Sequence, residues 1–241
     1  MRLDEAWRQL NLVQDFIPAG SANRPGKRLE PTAITIHNTD NTAPGANAAA
    51  HARYVKGADA RARQVSWHFT VDDTAVFQSL PTNEVGWHAG GGNATSIGIE
   101  ICMHQGMNEQ QAYERAALLT AVMARQHGIS VVNGIAQHHH WTGKNCPRVL
   151  RSRSNGWTDF LQRVRTLHGA LRNFLAVEIS LGEDDVCCLA GASPRPAAAR
   201  SGKKPVRKAA RKSGARRPAK AVRRKKTRKK ASKAAKKRKS R

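Results

Sequence analysis

Three places in the sequence join metal-binding or acid–base side chains to positions where chemistry could gather. His37 follows the β-rich run Ala33–Ile36, and a histidine at a strand end points into the mouth of a sheet. The segment Gln137-His138-His139-His140-Trp141-Thr142-Gly143-Lys144-Asn145-Cys146-Pro147 sets a histidine cluster near a cysteine held before a proline. It could give two ligands to a borderline-soft metal. Glu100 is a lone carboxylate in an otherwise apolar run, costly there unless it is paired or serves a polar site. Each has a plainer alternative: a structural histidine, a surface histidine tract with a buried thiol, a paired carboxylate. Taken together, His37, one histidine of the cluster and Cys146 make a His₂Cys set. Three protein ligands leave zinc's fourth position open, the catalytic rather than the structural arrangement. Zinc lowers the pKa of a water to about 7 and polarises a carbonyl. Glu100 could take that water's proton and Lys144 could steady the oxyanion. Spacing alone does not choose among His138, His139 and His140.

These residues need a scaffold, and the hydrophobic pattern supplies one. Leu3–Leu10 predicts a short helix that packs on the body, and residues 21–32 a loop leading into the strand Ala33–Ile36. Asn47–Val55 has helical composition and ends near Gly57. Ser66–Val71 and Ala75–Leu80 predict a hairpin turned at Asp72-Asp73-Thr74. Residues 86–96 form a glycine-rich loop, and Ile97–Cys102 a near-continuous apolar strand interrupted by Glu100. Glu109–His127 is the longest helix, stopped by Gly128, and Trp157–Phe174 is another. Strands mixed with helices imply an α/β sheet layered with helices. The expected organisation is a short helical segment over 1–14, a catalytic domain over 15–174, a linker over 175–193 and a tail over 194–241.

Charge separates body from tail. Of the 42 Lys and Arg residues in the 241-residue chain, 24 lie in Pro194–Arg241, which holds no Asp or Glu. The rest has 18 basic against 17 acidic residues, so the net charge of +25 belongs almost wholly to the tail. Such a segment cannot bury enough apolar surface to offset its chain entropy and is expected to be disordered. Beyond a merely solvated tail, it fits an anionic polymer: teichoic acid, lipopolysaccharide phosphates, nucleic acid or anionic membrane. No aromatic residue lies among its charges, which disfavours base stacking. No apolar run approaches the roughly 20 residues of a transmembrane helix. The first residues lack the apolar core and cleavage site of a secretory signal, so synthesis in the cytoplasm is expected. Cys102, Cys146, Cys187 and Cys188 are too few and too irregular for a disulfide framework. Cys102 reads as a small core hydrophobe, and Cys187 and Cys188 as free thiols.

ITIHNT, SWHFTVDD, Gly-Trp-His-Ala-Gly at 86–90, SIGIEIC and HHHWTGKNCP occur in the order seen in zinc N-acetylmuramoyl-L-alanine amidases. That family is related to amidase-type phage lysozymes and peptidoglycan recognition proteins. The chain resembles most its phage and prophage endolysin branch. The resemblance implies a mixed central sheet flanked by helices, with zinc at the floor of a groove. It implies His37, His138 and Cys146 as ligands, His138 because a Trp-Thr-Gly-Lys-x-Cys run follows the cluster. It further implies Glu100 and Lys144 as catalytic residues, and His68, Trp87 and His88 as groove residues that contact the muramyl-peptide. Where some relatives carry a catalytic tyrosine, this sequence has Trp67, and no tyrosine role transfers. The expectation is a monomeric enzyme acting on peptidoglycan at the bacterial cell wall with Zn²⁺ as cofactor. The alternative is a non-catalytic peptidoglycan- or polyanion-binding protein acting through its basic tail.

Overall fold

A computed structural model describes residues 1–171. The expected linker, the basic tail, Cys187, Cys188 and the last three residues of the Trp157–Phe174 helix lie outside them. Six strands form one sheet: β1 (Leu12–Gln14), β2 (Ala33–Asn38), β3 (Phe69–Val71), β4 (Val76–Gln78), β5 (Ser96–Ile101) and β6 (Ile135–Gln137). Their order across the sheet is β1-β4-β3-β5-β2-β6. Only the β3–β4 hairpin is antiparallel, so the sheet is mixed.

The two central strands alternate. In β2, Ile34 and Ile36 face one side and Thr35 and His37 the other. In β5, Ile97, Ile99 and Ile101 alternate with Ser96, Gly98 and Glu100. Parallel register sets like against like, Ile36 beside Ile99 and His37 beside Glu100, and β3 continues it with Thr70 beside Glu100. The sheet therefore has an apolar face and a polar face. The apolar face joins Phe69 and Val71 in the core beneath α4 (Glu109–His127). Ala112, Ala116, Ala117 and Ala121 keep that helix close to the sheet, and Leu119, Val122 and Met123 fill the space between. The Asn108 side chain accepts from Gln111 N–H at its start, and Gly128, at φ 65°, ends it in the left-handed conformation that glycine adopts without strain. α7 (Gly156–Ala170) adds Phe160 and Val164 to the same core.

α1 (Leu3–Leu10) buries Ala6 and Leu10 in this core, and β1 pairs with β4, so residues 1–14 are built into the body. β2 runs two residues beyond the expected strand and holds His37 inside the sheet. α2 (Ala48–Val55) and α3 (Ala58–Ala62) lie toward the polar face, where a 3₁₀ turn (Gly90–Ala94) and α5 (His138–Thr142) also sit; α6 (Arg148–Ser152) follows Cys146. No helix among the described residues is long and apolar enough to cross a membrane.

Candidate active site

The polar face of the sheet supplies the floor. Register puts His37 and Glu100 side by side, with Nδ1 of the histidine 3.7 Å from Oε1 of the carboxylate. His138 opens α5 directly after β6, which pairs with β2, and its ring centroid lies 4.6 Å from that of His37. Cys146 follows on the returning loop, which the His139 N–H ties down by donating to Cys146 O at 2.9 Å. Asn38 secures the cysteine: its backbone N–H donates to Cys146 Sγ at 3.4 Å, and its side-chain oxygen accepts from Val149 N–H. The ligand atoms of His37, His138 and Cys146 lie within 4.8 Å of one another, a grouping that could hold a metal ion.

Burial sets the electrostatics of this cluster. His37 is only 1% exposed, and burial, then the neighbouring His88, His138 and Lys144, keep its pKa well below the ordinary histidine value. It is neutral, as a ligand must be. Burial pushes the Glu100 carboxyl up to about 8, against the pull of Lys144 and with a smaller push from Asp40. Burial and Glu100 raise the Cys146 thiol to about 12, although the Asn38 N–H favours the thiolate. Glu100 Oε2 and His138 Nδ1 are buried without a hydrogen-bond partner. An unpartnered imidazole nitrogen, a neutral buried histidine and a thiol make a donor set that fits zinc.

The cluster opens into a groove of about 610 Å³. Lys144 and His88 line it beside the cluster, and Trp87, Tyr54, Trp67, Asp59 and Arg63 extend it. Tyr54 stacks on Trp67 with ring centroids 6.3 Å apart. Sequence reading missed this extension. Its aromatic pair is separated by 13 positions and a helix, and nothing local marks Tyr54.

His68 is not brought to the groove. It is 0% exposed, its Nδ1 accepts from Gly98 N–H at 2.9 Å, and its Nε2–H donates to Glu84 O at 2.8 Å. Both nitrogens serve the backbone, so this ring is a strut under the floor and cannot meet a muramyl-peptide. His139 and His140 line a separate recess with Arg151 and Trp157. Cys102 is wholly buried in the body.

The N-acetylmuramoyl-L-alanine amidase family model (Amidase_2) matches residues 27–149, about half of the chain and every residue of this cluster. The chain belongs to that amidase family. It is 51% identical over 145 residues to the N-acetylmuramoyl-L-alanine amidase XlyA of Bacillus subtilis (strain 168), covering 58% of this chain and 48% of that one. It is 41% identical over 160 residues to the amidase CwlH of the same organism, covering 64% and 61%. The chain thus spans about half to three fifths of the length of these curated relatives. Among solved structures, the catalytic domain of XlyA superposes with a TM-score of 0.59 at 47% identity, covering 64% of this chain and 99% of that one. PlyL superposes at 0.56 with 26% identity, covering 64% and 96%.

Proposed function

We propose that this amidase hydrolyses peptidoglycan at the amide bond between the N-acetylmuramoyl lactyl carbonyl and the L-alanine of the stem peptide. The observation that carries the reading is the convergence of His37, His138 and Cys146 ligand atoms within 4.8 Å, beside the buried carboxylate of Glu100. These three residues would hold a zinc ion, which when bound supplies Lewis acidity to the carbonyl and acidity to the attacking water. Burial keeps the Glu100 carboxyl protonated at neutral pH in the metal-free site; the charge of a bound zinc would ionise it, and the carboxylate would then accept a proton from the attacking water as its oxygen bonds to the carbonyl carbon. The Lys144 ammonium meets the negative charge that develops on the carbonyl oxygen. Glu100 then returns its proton to the alanine nitrogen as the C–N bond breaks. The products are a lactyl carboxylate and a stem peptide with a free N-terminal alanine. His88 beside the cluster, with Trp87 and the stacked Tyr54 and Trp67 lining the same groove, gives the substrate apolar and polar walls.

The test is release of soluble material from purified bacterial walls by the full chain, after chelation and after zinc is restored. Activity should vanish with the chelator and return with zinc. Undiminished activity in metal-free protein would refute the reading.

The 24 basic residues of Pro194–Arg241 support a second role, a tether to the anionic wall on which the enzyme acts. Removing them should leave turnover on a small soluble substrate intact and abolish salt-sensitive retention on whole walls. Equal retention of the full and truncated chains at low salt would refute the tether.

A further inference from the structure

His88 is 51 positions from His37 and belongs to the glycine-rich loop, yet its Nδ1 lies 3.0 Å from His37 Nε2. The two rings meet edge to face, at 78°. The other nitrogen of His88 lies 3.2 Å from Ser96 O. A carbonyl can only accept, so His88 Nε2 carries the proton and its Nδ1 presents a lone pair. That lone pair in turn requires the proton of His37 on Nε2. The remaining nitrogen, His37 Nδ1, is the one facing Cys146 Sγ at 3.9 Å and Glu100 Oε1 at 3.7 Å.

The loop is built to hold this ring. The Asn93 side chain accepts from the backbone N–H groups of His88 and Ala89, at 2.9 and 2.6 Å. Beneath the ring lies Gly98 of β5, where an added Cβ would come within 2.8 Å of the His88 Cγ and Nδ1. Any other residue at 98 would push the ring off its seat.

We propose that His88 is a positioning residue that fixes His37 in the Nε2–H tautomer, baring Nδ1 for the metal, and that Gly98 is the seat this arrangement needs. The inference rests on the metal-centre reading above and gives His88 a task distinct from contact with substrate. Ligand histidines are commonly oriented by a partner on their second nitrogen, and loss of such partners weakens metal binding about 10–100-fold.

The test uses the full chain, labelled with ¹⁵N-histidine and free of metal. Long-range ¹H–¹⁵N correlation should show His37 protonated at Nε2 and bare at Nδ1. Zinc affinity, read by competition with a chromogenic chelator, should fall about 10–100-fold in His88→Ala and Gly98→Ala. In His88→Gln it should recover most of that loss, because the amide oxygen can accept the Nε2 proton. An Nδ1–H tautomer in the wild type would overturn the proposal without any variant having to fold. So would wild-type zinc affinity in a folded His88→Ala protein. A wild-type chain with the expected tautomer that takes up no zinc would overturn the metal-centre reading itself.

Discussion

His37 and Glu100 stand opposite one another in the parallel register of β2 and β5, both on the polar face, with 3.7 Å between Nδ1 and Oε1. Backbone pairing alone therefore delivers the proposed ligand and the proposed proton acceptor to one spot, and neither needs a loop to place it. Catalytic groups carried on a sheet are held more rigidly than groups on loops.

Because Glu100 holds no ligand position in this account, Glu100→Ala should still bind zinc while turnover falls about 10²–10⁴-fold, the usual share of a general base. Lys144→Ala should also keep zinc and lose turnover about 10²–10³-fold. Metal content and wall hydrolysis measured on the same samples check both. Full activity in Glu100→Ala would remove the carboxylate from the chemistry.

The Cys146 thiol, pushed up to about 12 by burial and Glu100, is neutral in the metal-free protein at pH 7. Zinc uptake must then release at least one proton, so affinity should rise with pH. Calorimetry in buffers of different ionisation enthalpy reads that proton. Cys146→Ser should bind zinc poorly, and its unfolding midpoint should no longer rise when zinc is added.

The alternation that creates the polar face is written in the sequence as Thr35-Ile36-His37 and Ser96-Ile97-Gly98-Ile99-Glu100. Reading Ile97–Cys102 as an apolar run broken by one carboxylate hides it, because Gly98 counts as neither polar nor apolar. The period-two pattern puts Ser96, Gly98 and Glu100 on one side, and so marks the site's floor. The helix Glu109–His127 was fully legible, since nineteen residues give several turns of periodicity and a glycine stop. β1 and β6, at three residues each, and α3, α5 and α6, at five, are too short to show any period. Only their pairing and packing partners define them. His68 misleads for another reason: its ring is buried with both nitrogens bonded to the backbone of Gly98 and Glu84, and nothing local reports that. The contact between His88 and His37 is likewise long-range and invisible along the chain.

α5 is held to the sheet by a polar chain. Trp141 Nε1–H donates to Thr35 Oγ1, Thr35 donates to Ser96 Oγ, and Ser96 donates to Gly92 O. The indole also covers Gly92, where a Cβ would lie 2.6 Å from Trp141 Cε2. Gly92→Ala should therefore destabilise the fold by about 1–3 kcal/mol, as overpacking does. It should also lower zinc affinity by shifting α5 and its first residue, His138. Denaturant unfolding and a zinc titration measure the two effects.

Asp72 joins the hairpin to α2. Its carboxylate accepts from Ala48 N–H at the start of that helix and from Thr74 N–H and Ala75 N–H in the turn. Burial pushes its pKa up, but these hydrogen bonds outweigh burial and hold it below the ordinary value. The unfolded chain then takes up this proton at a higher pH than the folded one. The stabilisation is complete above the unfolded pKa of about 3.9 and is lost as pH falls through the depressed value. Asp72→Asn, which turns an amide donor toward a backbone N–H, should cost about 2 kcal/mol at pH 7. Its deficit should shrink on acidification below about pH 4. Denaturant midpoints across pH read the effect, and a deficit independent of pH would contradict it.

The proposed centre at His37, His138 and Cys146 would hydrolyse one particular amide bond. Mass spectrometry of fragments released from purified peptidoglycan, with and without chelator, tests it most directly. Stem peptides bearing a free N-terminal alanine are expected, with glycan strands left uncut, and no release once zinc is removed. Release of disaccharide fragments, cleavage within the stem peptide, or uncut peptidoglycan from a zinc-loaded sample would contradict it.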